Sequence, residues 1–483
     1  MKKQIVTRFA PSPTGYMHIG GLRTATYAYL IAKQADGKFI LRIEDTDRAR
    51  YVEGAVETIE ETLKWLGLNW DEGPGAGGEN GPYFQTERTE IYQEWAQKLI
   101  DGGRAYADTT PSEKIEEYRK DAVSKKQPFL YRDCRPEETG KWEVGMPLRF
   151  RSEPKDYEYT DAVMGDLKIG AEAQDDIVLM KADGLPTYNF AHIVDDAMMG
   201  VTHVMRGQEF LPSMGNYLAL YEALGLERPV FAHLPHILGA NGTKKLSKRD
   251  GAKSATDYRM EGILPEAMLN LLACLGWNDG TEKEIYSMED LVAEFRLDRI
   301  QRAGARFDEA KLIWLNGQWI RRLFAEDGRA LLNRTAGFWP ESAQNASDEK
   351  KYTVFEIIYD RLKTWGDLTE MTDYFFADPE IDQDMILKNK FLSEFSEQEL
   401  MDWLRQVVQK LYKVSEWTTE VLQENLNELL TEMERKPAEL FSLVRLSLSF
   451  APFSPALPDT MRVLGKNVVL ARLNAVVETL ANN

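Results

Sequence analysis

With 483 residues, 43% of them hydrophobic, the chain is longer than one ordinary domain and predicts two to four packed units. Its two cysteines, Cys134 and Cys274, lie far apart, which excludes a disulfide framework and a tetrathiolate zinc site and predicts a reducing cytoplasm; no run of about 18 apolar residues could cross a membrane, and the start, Met1 to Ala10, is too short and polar for a signal-peptide core. The formal net charge of −19 argues against a general nucleic-acid-binding surface, although residues 435–483 carry six Lys or Arg against three Asp or Glu, a local +3 that follows a strongly acidic stretch from Leu323 to Glu434.

In chain order, Ile5 to Phe9 reads as a short buried strand, followed by the Pro and Gly loop Pro11 to Gly15 and a helix from about Gly20 to Gln34. A second strand alternates Phe39, Leu41 and Ile43 with Ile40, Arg42 and Glu44, and Val52, Val56, Ile59, Leu63 and Leu66 then recur at helical spacing. This β-α-β-α start predicts a parallel sheet. Gly73 to Gly81 is a glycine-rich loop with no G-K-[ST] after it, so it reads as a linker and not as a phosphate cradle. From about Tyr106 to Lys181 the pattern breaks into a charged, turn-rich region with strands expected near Leu148 to Arg151 and Ile177 to Lys181, which reads as an inserted domain. Apolar strand and helix patterns resume from Tyr188 to about Leu275, as the second half of the split nucleotide-binding fold. Beyond about Asp308, stripes such as Trp403, Leu404, Val407, Val408, Leu411 and Val421, Leu422, Leu426, Leu429, Leu430, Met433 predict a helical final third.

Two elements carry chemistry. His18-Ile19-Gly20-Gly21 stands where the first loop becomes a helix, at the carboxyl edge of the sheet, where glycine lets a flat base approach and an imidazole can donate to phosphate oxygens. A helix-capping role for His18 is the simpler alternative. Far downstream, Lys245-Leu246-Ser247-Lys248-Arg249, preceded by Gly242, Thr243 and Lys244, gathers cations around one serine. Read chemically it is a clamp that neutralises the charge building on a departing pyrophosphate; read structurally it is a solvated loop. Arg8 and Glu44 fall near the carboxyl ends of neighbouring strands, where a guanidinium suits an α-carboxylate and a carboxylate an α-ammonium, or where the two simply pair with each other.

Together the two elements resemble the H-I-G-H and K-M-S-K-S signatures of class I aminoacyl-tRNA synthetases. RFAPSPTGYMHIGGLRTA (Arg8 to Ala25), RIEDTDRAR (Arg42 to Arg50), LKWLGLNWDEGP (Leu63 to Pro74), YNFAHIVDDAMMGVTHVMRG (Tyr188 to Gly207) and KLSKRDGA (Lys245 to Ala252) look like the bacterial type of the glutamyl-tRNA synthetase family, and the likeness continues through KLIWLNGQWI (Lys311 to Ile320) and, more loosely, VLGKNVVLARL.

The resemblance implies an α/β fold: a class I Rossmann-like parallel sheet split by an inserted domain and followed by an all-helical C-terminal anticodon-binding region. It places the first catalytic half at 1–105, an acceptor-binding insertion at 106–187, the second half at 188–252, a stem-contact domain at 253–320 and the anticodon-binding domain at 321–483. By the same likeness, ATP is held by Pro11, Thr14, Gly15, His18, Gly20, Gly21, Leu246, Ser247, Lys248 and Arg249, with His18, Gly20, Lys245 and Lys248 acting on the reacting phosphates and Mg²⁺ accompanying the nucleotide. Glutamate would be held by Arg8, Ser12, Glu44, Tyr188 and Arg206, the last reading the side-chain carboxylate, with pairing to Glu209 as its bland alternative. The implied partners are ATP, glutamate and tRNA(Glu), and a cytoplasmic monomer is expected. Many bacterial members carry zinc in the insertion through a C-x-C pair and a later ligand. Here that pair aligns with Asp108 and Thr110 and only Cys134 remains, so no zinc is expected. Alternatives within the family are a tRNA-modifying paralogue, which lacks a helical C-terminal part, and a glutaminyl enzyme, whose C-terminal part is made of β-barrels; a catalytically silent RNA-binding descendant is the reading from another class.

Overall fold

A computed structural model of the protein describes residues 4–481, apart from Tyr16, Glu138, Ala240, 247–252 and 452–453. The expected ATP and clamp contacts Ser247, Lys248 and Arg249 thus lie outside the described residues. The described chain divides into two units, one of residues up to 259 plus 265–312, the other of 260–264 plus 313–483.

In the first unit, strand β1 (Val6–Phe9) is buried along its length and leads through the Pro11 to Gly15 loop into helix α1 (Ile19–Gln34). Strand β2 (Lys38–Leu41) returns parallel to β1, with Arg8 opposite Ile40, so the β-α-β start folds as its periodicity predicts. Pairing continues past the strand ends: Arg42 N donates to Phe9 O at 3.0 Å and Glu44 N to Pro11 O at 3.0 Å. Helix α2 (Ala55–Trp65) buries Val56, Ile59 and Leu63. Val52, expected on that stripe, precedes the helix and is exposed; Gly54, with φ of +77°, breaks the helical run between them.

Helix α3 (Thr89–Asp101) and strand β3 (Ala105–Ala107) lead into the insertion, where helix α4 (Ser112–Ser124) buries no residue. There β3, β4 (Leu148–Phe150) and a later strand, β7 (Val178–Met180), form a small antiparallel sheet, and β5 (Tyr157–Asp161) with β6 (Gly165–Ile169) forms a hairpin. After the insertion come α5 (Tyr188–Met198), β8 (His203–Gly207), α6 (Met214–Ala223) and β9 (Val230–Leu234). Strands β8 and β9 rejoin the first sheet in the order β2-β1-β8-β9, all parallel. The chain has left the sheet, built the insertion and come back beside β1.

One apolar cluster runs from Val6 and Ile40 in the sheet, through Phe190, Tyr217 and Phe231, to Phe150 and Leu179 in the insertion. The hairpin also reaches the sheet directly, with Ala162 N donating to Phe231 O at 2.8 Å. The insertion is therefore built onto the sheet and does not hang from a linker.

The second unit consists of helices and their connections, with no strand among its described residues. The helix Glu397–Tyr412 starts at a capping box, in which Ser396 accepts from Glu399 N and the Glu399 carboxylate accepts from Ser396 N. Its stripe of Leu400, Trp403, Leu404, Val407 and Leu411 is buried, and it packs against the helix Lys466–Ala481, which buries Val469, Leu473, Val476 and Leu480. Helix Thr419–Glu432 buries Leu422, Leu426 and Leu429, the core-facing members of the second predicted stripe.

Candidate active site

Parallel strands end on one edge of the sheet, and in α/β folds that edge binds ligands. Here a cavity of about 560 Å³ opens there, lined by the end of β1, residues of the following loop between Ala10 and Gly15, the helix start from Met17 to Gly21, Glu44, Tyr188, Met205 to Gly207 and the segments around His236 and Lys245. Every candidate site residue among the described ones lines it: Arg8, Ser12, Glu44, Tyr188 and Arg206 from one group, Pro11, Thr14, Gly15, His18, Gly20, Gly21, Lys245 and Leu246 from the other.

At the floor lies a buried charge cluster. Arg8 donates through Nε (3.0 Å) and Nη2 (3.3 Å) to the two oxygens of Asp196, and through Nη1 to the Met205 carbonyl. Asp196 also accepts from Arg42 Nη1 at 2.9 Å, and Arg42 Nη2 donates to Glu44 at 3.1 Å. Asp195 accepts from Arg88 Nε at 2.7 Å, Gln85 and Tyr92, and faces Arg42 Nε at 3.5 Å. The simple pairing of Arg8 with Glu44 does not form: Asp196 takes Arg8, and Arg42, two residues before Glu44 and on its side of the chain, takes Glu44. Burial works against ionised Asp196, yet Arg8 and Arg42 hold its carboxyl well below the usual range. Burial lifts the Glu44 carboxyl to about 7, with Arg42 and Arg8 opposing. A cation entering beside Glu44 would favour its charged form.

Arg206 leaves the end of β8 and is only 5% exposed. Its Nε donates to His233 Nε2 at 3.1 Å, Nη1 lies 3.3 Å from His192 Nε2, and Nη2 contacts the Met214 sulfur at 2.8 Å. The rings of Tyr217, Phe210 and Phe231 surround it at 4.8, 5.2 and 5.8 Å. Among the described residues no carboxylate lies within ion-pair distance of it, and Glu209 pairs instead with Lys245 (3.6 Å) and His236 (3.8 Å). A buried guanidinium surrounded by neutral groups calls for an anion from outside. Tyr188 opens α5 and stacks on His192 and Phe210; burial pushes its phenol up, so it stays a neutral donor.

The other end of the cavity suits a nucleotide. His18 does cap α1, its Nδ1 accepting from Gly21 N at 3.2 Å, which puts the neutral ring's proton on Nε2. Capping and donation to phosphate are thus compatible, since they use different ring nitrogens. A Cβ at Gly20 would sit 3.1 Å from the His18 ring, so glycine keeps the ring flat over the helix start. Across the cavity Leu246 N donates to Ile237 O at 2.8 Å and Gly239 N to Lys244 O at 2.9 Å, a short ladder that fixes Lys245 at the rim.

Sequence reading missed Asp161, His192, Asp195, Asp196 and His233. Only the adjacent acids Asp195 and Asp196 on an otherwise apolar helix could have signalled burial with cations. In the insertion, Asp108 and Thr110 share the Tyr131 hydroxyl (2.6 and 2.7 Å), Arg149 pairs with Asp108, and the Cys134 thiol donates to Tyr131 O. Among the described residues no group of three or more His, Cys, Asp or Glu is placed to hold a metal ion.

Comparison with known proteins gives the relatives of this architecture. Residues 4–314 match the family of class I tRNA synthetases (E and Q), catalytic domain, and residues 324–477 match an anticodon binding domain. The chain is 40% identical over 490 residues to a glutamate–tRNA ligase of Dehalococcoides mccartyi, covering 100% of this chain and 99% of that one, and 40% identical over 489 residues to one of Clostridium botulinum, covering 99% of each. Among solved structures, a glutamate tRNA ligase from Elizabethkingia meningosepticum in complex with its amino acid superposes with a TM-score of 0.87 at 35% identity, covering 99% of this chain and 100% of that one.

Proposed function

The chain belongs to the class I tRNA synthetases of the glutamate and glutamine kind, and from that membership we propose that it ligates L-glutamate to tRNA(Glu) at the expense of ATP. The observation that carries the choice of glutamate is Arg206, a buried cation that lines the cavity with no carboxylate within ion-pair distance among the described residues. A site built for a neutral amide would leave that charge unpaired.

In the first step an oxygen of the glutamate α-carboxylate attacks the α-phosphorus of ATP, the bond to the β-phosphate breaks, and pyrophosphate leaves. In the second a terminal ribose hydroxyl of the tRNA attacks the acyl carbon, the acyl–phosphate bond breaks, and AMP leaves, the hydroxyl proton passing to the phosphate or to water. No covalent protein intermediate is needed. The protein binds and orients: Arg8 takes the α-carboxylate, Glu44 the α-ammonium, and Arg206 the γ-carboxylate, with Tyr188 and Ser12 beside them. His18 and the α1 start, with Pro11, Thr14, Gly15 and Gly20, hold the nucleotide, and Lys245 with Lys248 neutralises the departing pyrophosphate. The helical second unit takes the anticodon side of the tRNA, and the reaction runs in the cytoplasm, without zinc.

Exchange of pyrophosphate into ATP, measured with tRNA(Glu) present, tests this reading: it should depend on glutamate and not on glutamine. Lys248→Ala should depress that exchange by about two to three decades with the KM for glutamate nearly unchanged, as loss of a transition-state charge contact would. Normal turnover in that variant would remove the clamp assignment.

Glu44 adds a pH signature. Its carboxyl ionises at about 7 in the free site, and a bound ammonium favours the ionised form, so protonation and glutamate compete. KM for glutamate should be flat above pH 7 and rise by about tenfold per unit as the pH falls below it, with KM for ATP unmoved. Glu44→Gln should bind glutamate weakly at every pH and lose the slope; a slope that survived would assign the titration to another group.

A further inference from the structure

Arg206 is held by imidazoles whose state is set from behind. A guanidinium only donates, so the His233 Nε2 that meets Arg206 Nε at 3.1 Å must present its lone pair. The proton of His233 then sits on Nδ1, which lies 2.6 Å from Asp161 Oδ2. Asp161 is 1% exposed, at the end of β5 in the insertion. Its Oδ1 accepts from Val163 N and Met164 N, both at 2.9 Å, and both oxygens accept from His233 N at 3.2 Å. These donors and the His233 ring outweigh burial and hold its carboxyl below the ordinary range. On the other side His192 gives its Nδ1 proton to the Tyr188 carbonyl at 2.7 Å, leaving Nε2 to Arg206. Burial and Arg206 push His192 down to about 3, and burial also pushes His233 down, so both rings are neutral. Neutral acceptors aim a guanidinium and leave its charge whole. A carboxylate in direct contact would have cancelled it.

We propose that Asp161, contributed by the insertion hairpin and not by the catalytic sheet, is a specificity-determining positioning residue of the amino-acid pocket: it fixes the Nδ1–H form of His233 and so holds Arg206 in place as an undiminished cation for the side-chain carboxylate of glutamate. The inference rests on the reading of Arg206 as the partner of that carboxylate. Asp161 touches no substrate. It acts through one ring, and it ties the insertion to the pocket from behind the lining residues.

Asp161→Asn tests the relay. The amide oxygen is claimed by Val163 N and Met164 N, which turns the amide NH₂ toward His233 Nδ1; the ring must then carry its proton on Nε2, aimed at a guanidinium N–H. The expected result is a fall in kcat/KM for glutamate of roughly 10- to 100-fold, carried by KM, with KM for ATP unchanged. Nitrogen-15 NMR should show the His233 proton moved from Nδ1 to Nε2. His233→Gln offers a side-chain carbonyl that accepts from Arg206 without any tautomer, so in that background Asp161→Asn should cost little more. His233→Leu keeps Asp161 but removes the acceptor, and should lose glutamate by the same factor even where Asp161→Asn fails to fold. Equal losses from Asp161→Asn in both backgrounds, a His233 proton that stays on Nδ1, or full glutamate affinity in His233→Leu would each overturn the inference. Arg206→Ala separates the two claims: if it spares the distinction between glutamate and glutamine, the reading of Arg206 itself fails, whereas a glutamate-selective loss there with no effect of the relay variants removes Asp161 alone.

Discussion

Arg206→Ala is expected to lower kcat/KM for glutamate by roughly 30-fold to several thousand-fold, the equivalent of about 2 to 5 kcal/mol for a desolvated charge-assisted pair. Glutamate and glutamine differ in charge only at the end of the side chain, so discrimination must pass through a cation near it. On the function proposed above Arg206 is that cation: it is buried, ringed by Tyr217, Phe210 and Phe231, and partnered by neutral imidazoles. Activity with glutamine should fall much less. Steady-state kinetics with both amino acids decide it, with a variant at Arg8 as control, because a residue on the α-carboxylate matters equally to both. Equal losses for the two substrates at Arg206, or a rise only in the KM for ATP, would send the search for the glutamate pocket elsewhere.

Asp196→Ala should destabilise the protein by about 3 to 5 kcal/mol, because it takes from buried Arg8 its carboxylate partner and leaves Arg42 with only Glu44 and Asp195 of the three carboxylates around it. Arg8 and Arg42 both donate to Asp196, Arg42 fully buried and Arg8 nearly so at the cavity floor. The loss should appear as a lower urea midpoint at pH 7, where the native carboxylate is fully ionised. The sign follows from the depressed carboxyl: the stabilisation is complete above the ordinary aspartate range and fades only as pH falls through the lower folded value, so wild type and variant should converge in strong acid. KM for glutamate should rise as well, since Arg8 loses the partner that aims it. A variant with an unshifted midpoint would mean that the cluster relaxes or takes up water at no net cost.

What the sequence made legible was local. The turn of β1 into α1 and the H-I-G element follow from spacing and glycine pattern, and the family likeness supplied both the pairing of Lys245 with that element and Arg206. Local patterning failed where partners meet only through the fold. Arg8 and Asp196 are 188 residues apart, Arg42 and Asp196 154, and His233 and Asp161 72. A strand with Arg42 and Glu44 on one face reads as half-solvated, yet the parallel sheet is covered on both faces and Arg42 is fully buried. Its charge had to be met by carboxylates from a helix the linear pattern could not bring near. The same holds for His192 and His233, which look like ordinary core histidines until their ring nitrogens are traced to Arg206.

The apolar cluster shared by the sheet and the insertion also limits what can be exchanged between relatives. A graft of residues 106–187 from another member would have to match not only the two chain crossings but the surface against which Phe190, Tyr217 and Phe231 pack, and it would have to bring an acid to meet His233. Modularity in this molecule ends where side chains interlock: the segment that could be lifted out by sequence position is, by packing, part of one core, and replacing it alone would rewrite the amino-acid pocket from the outside.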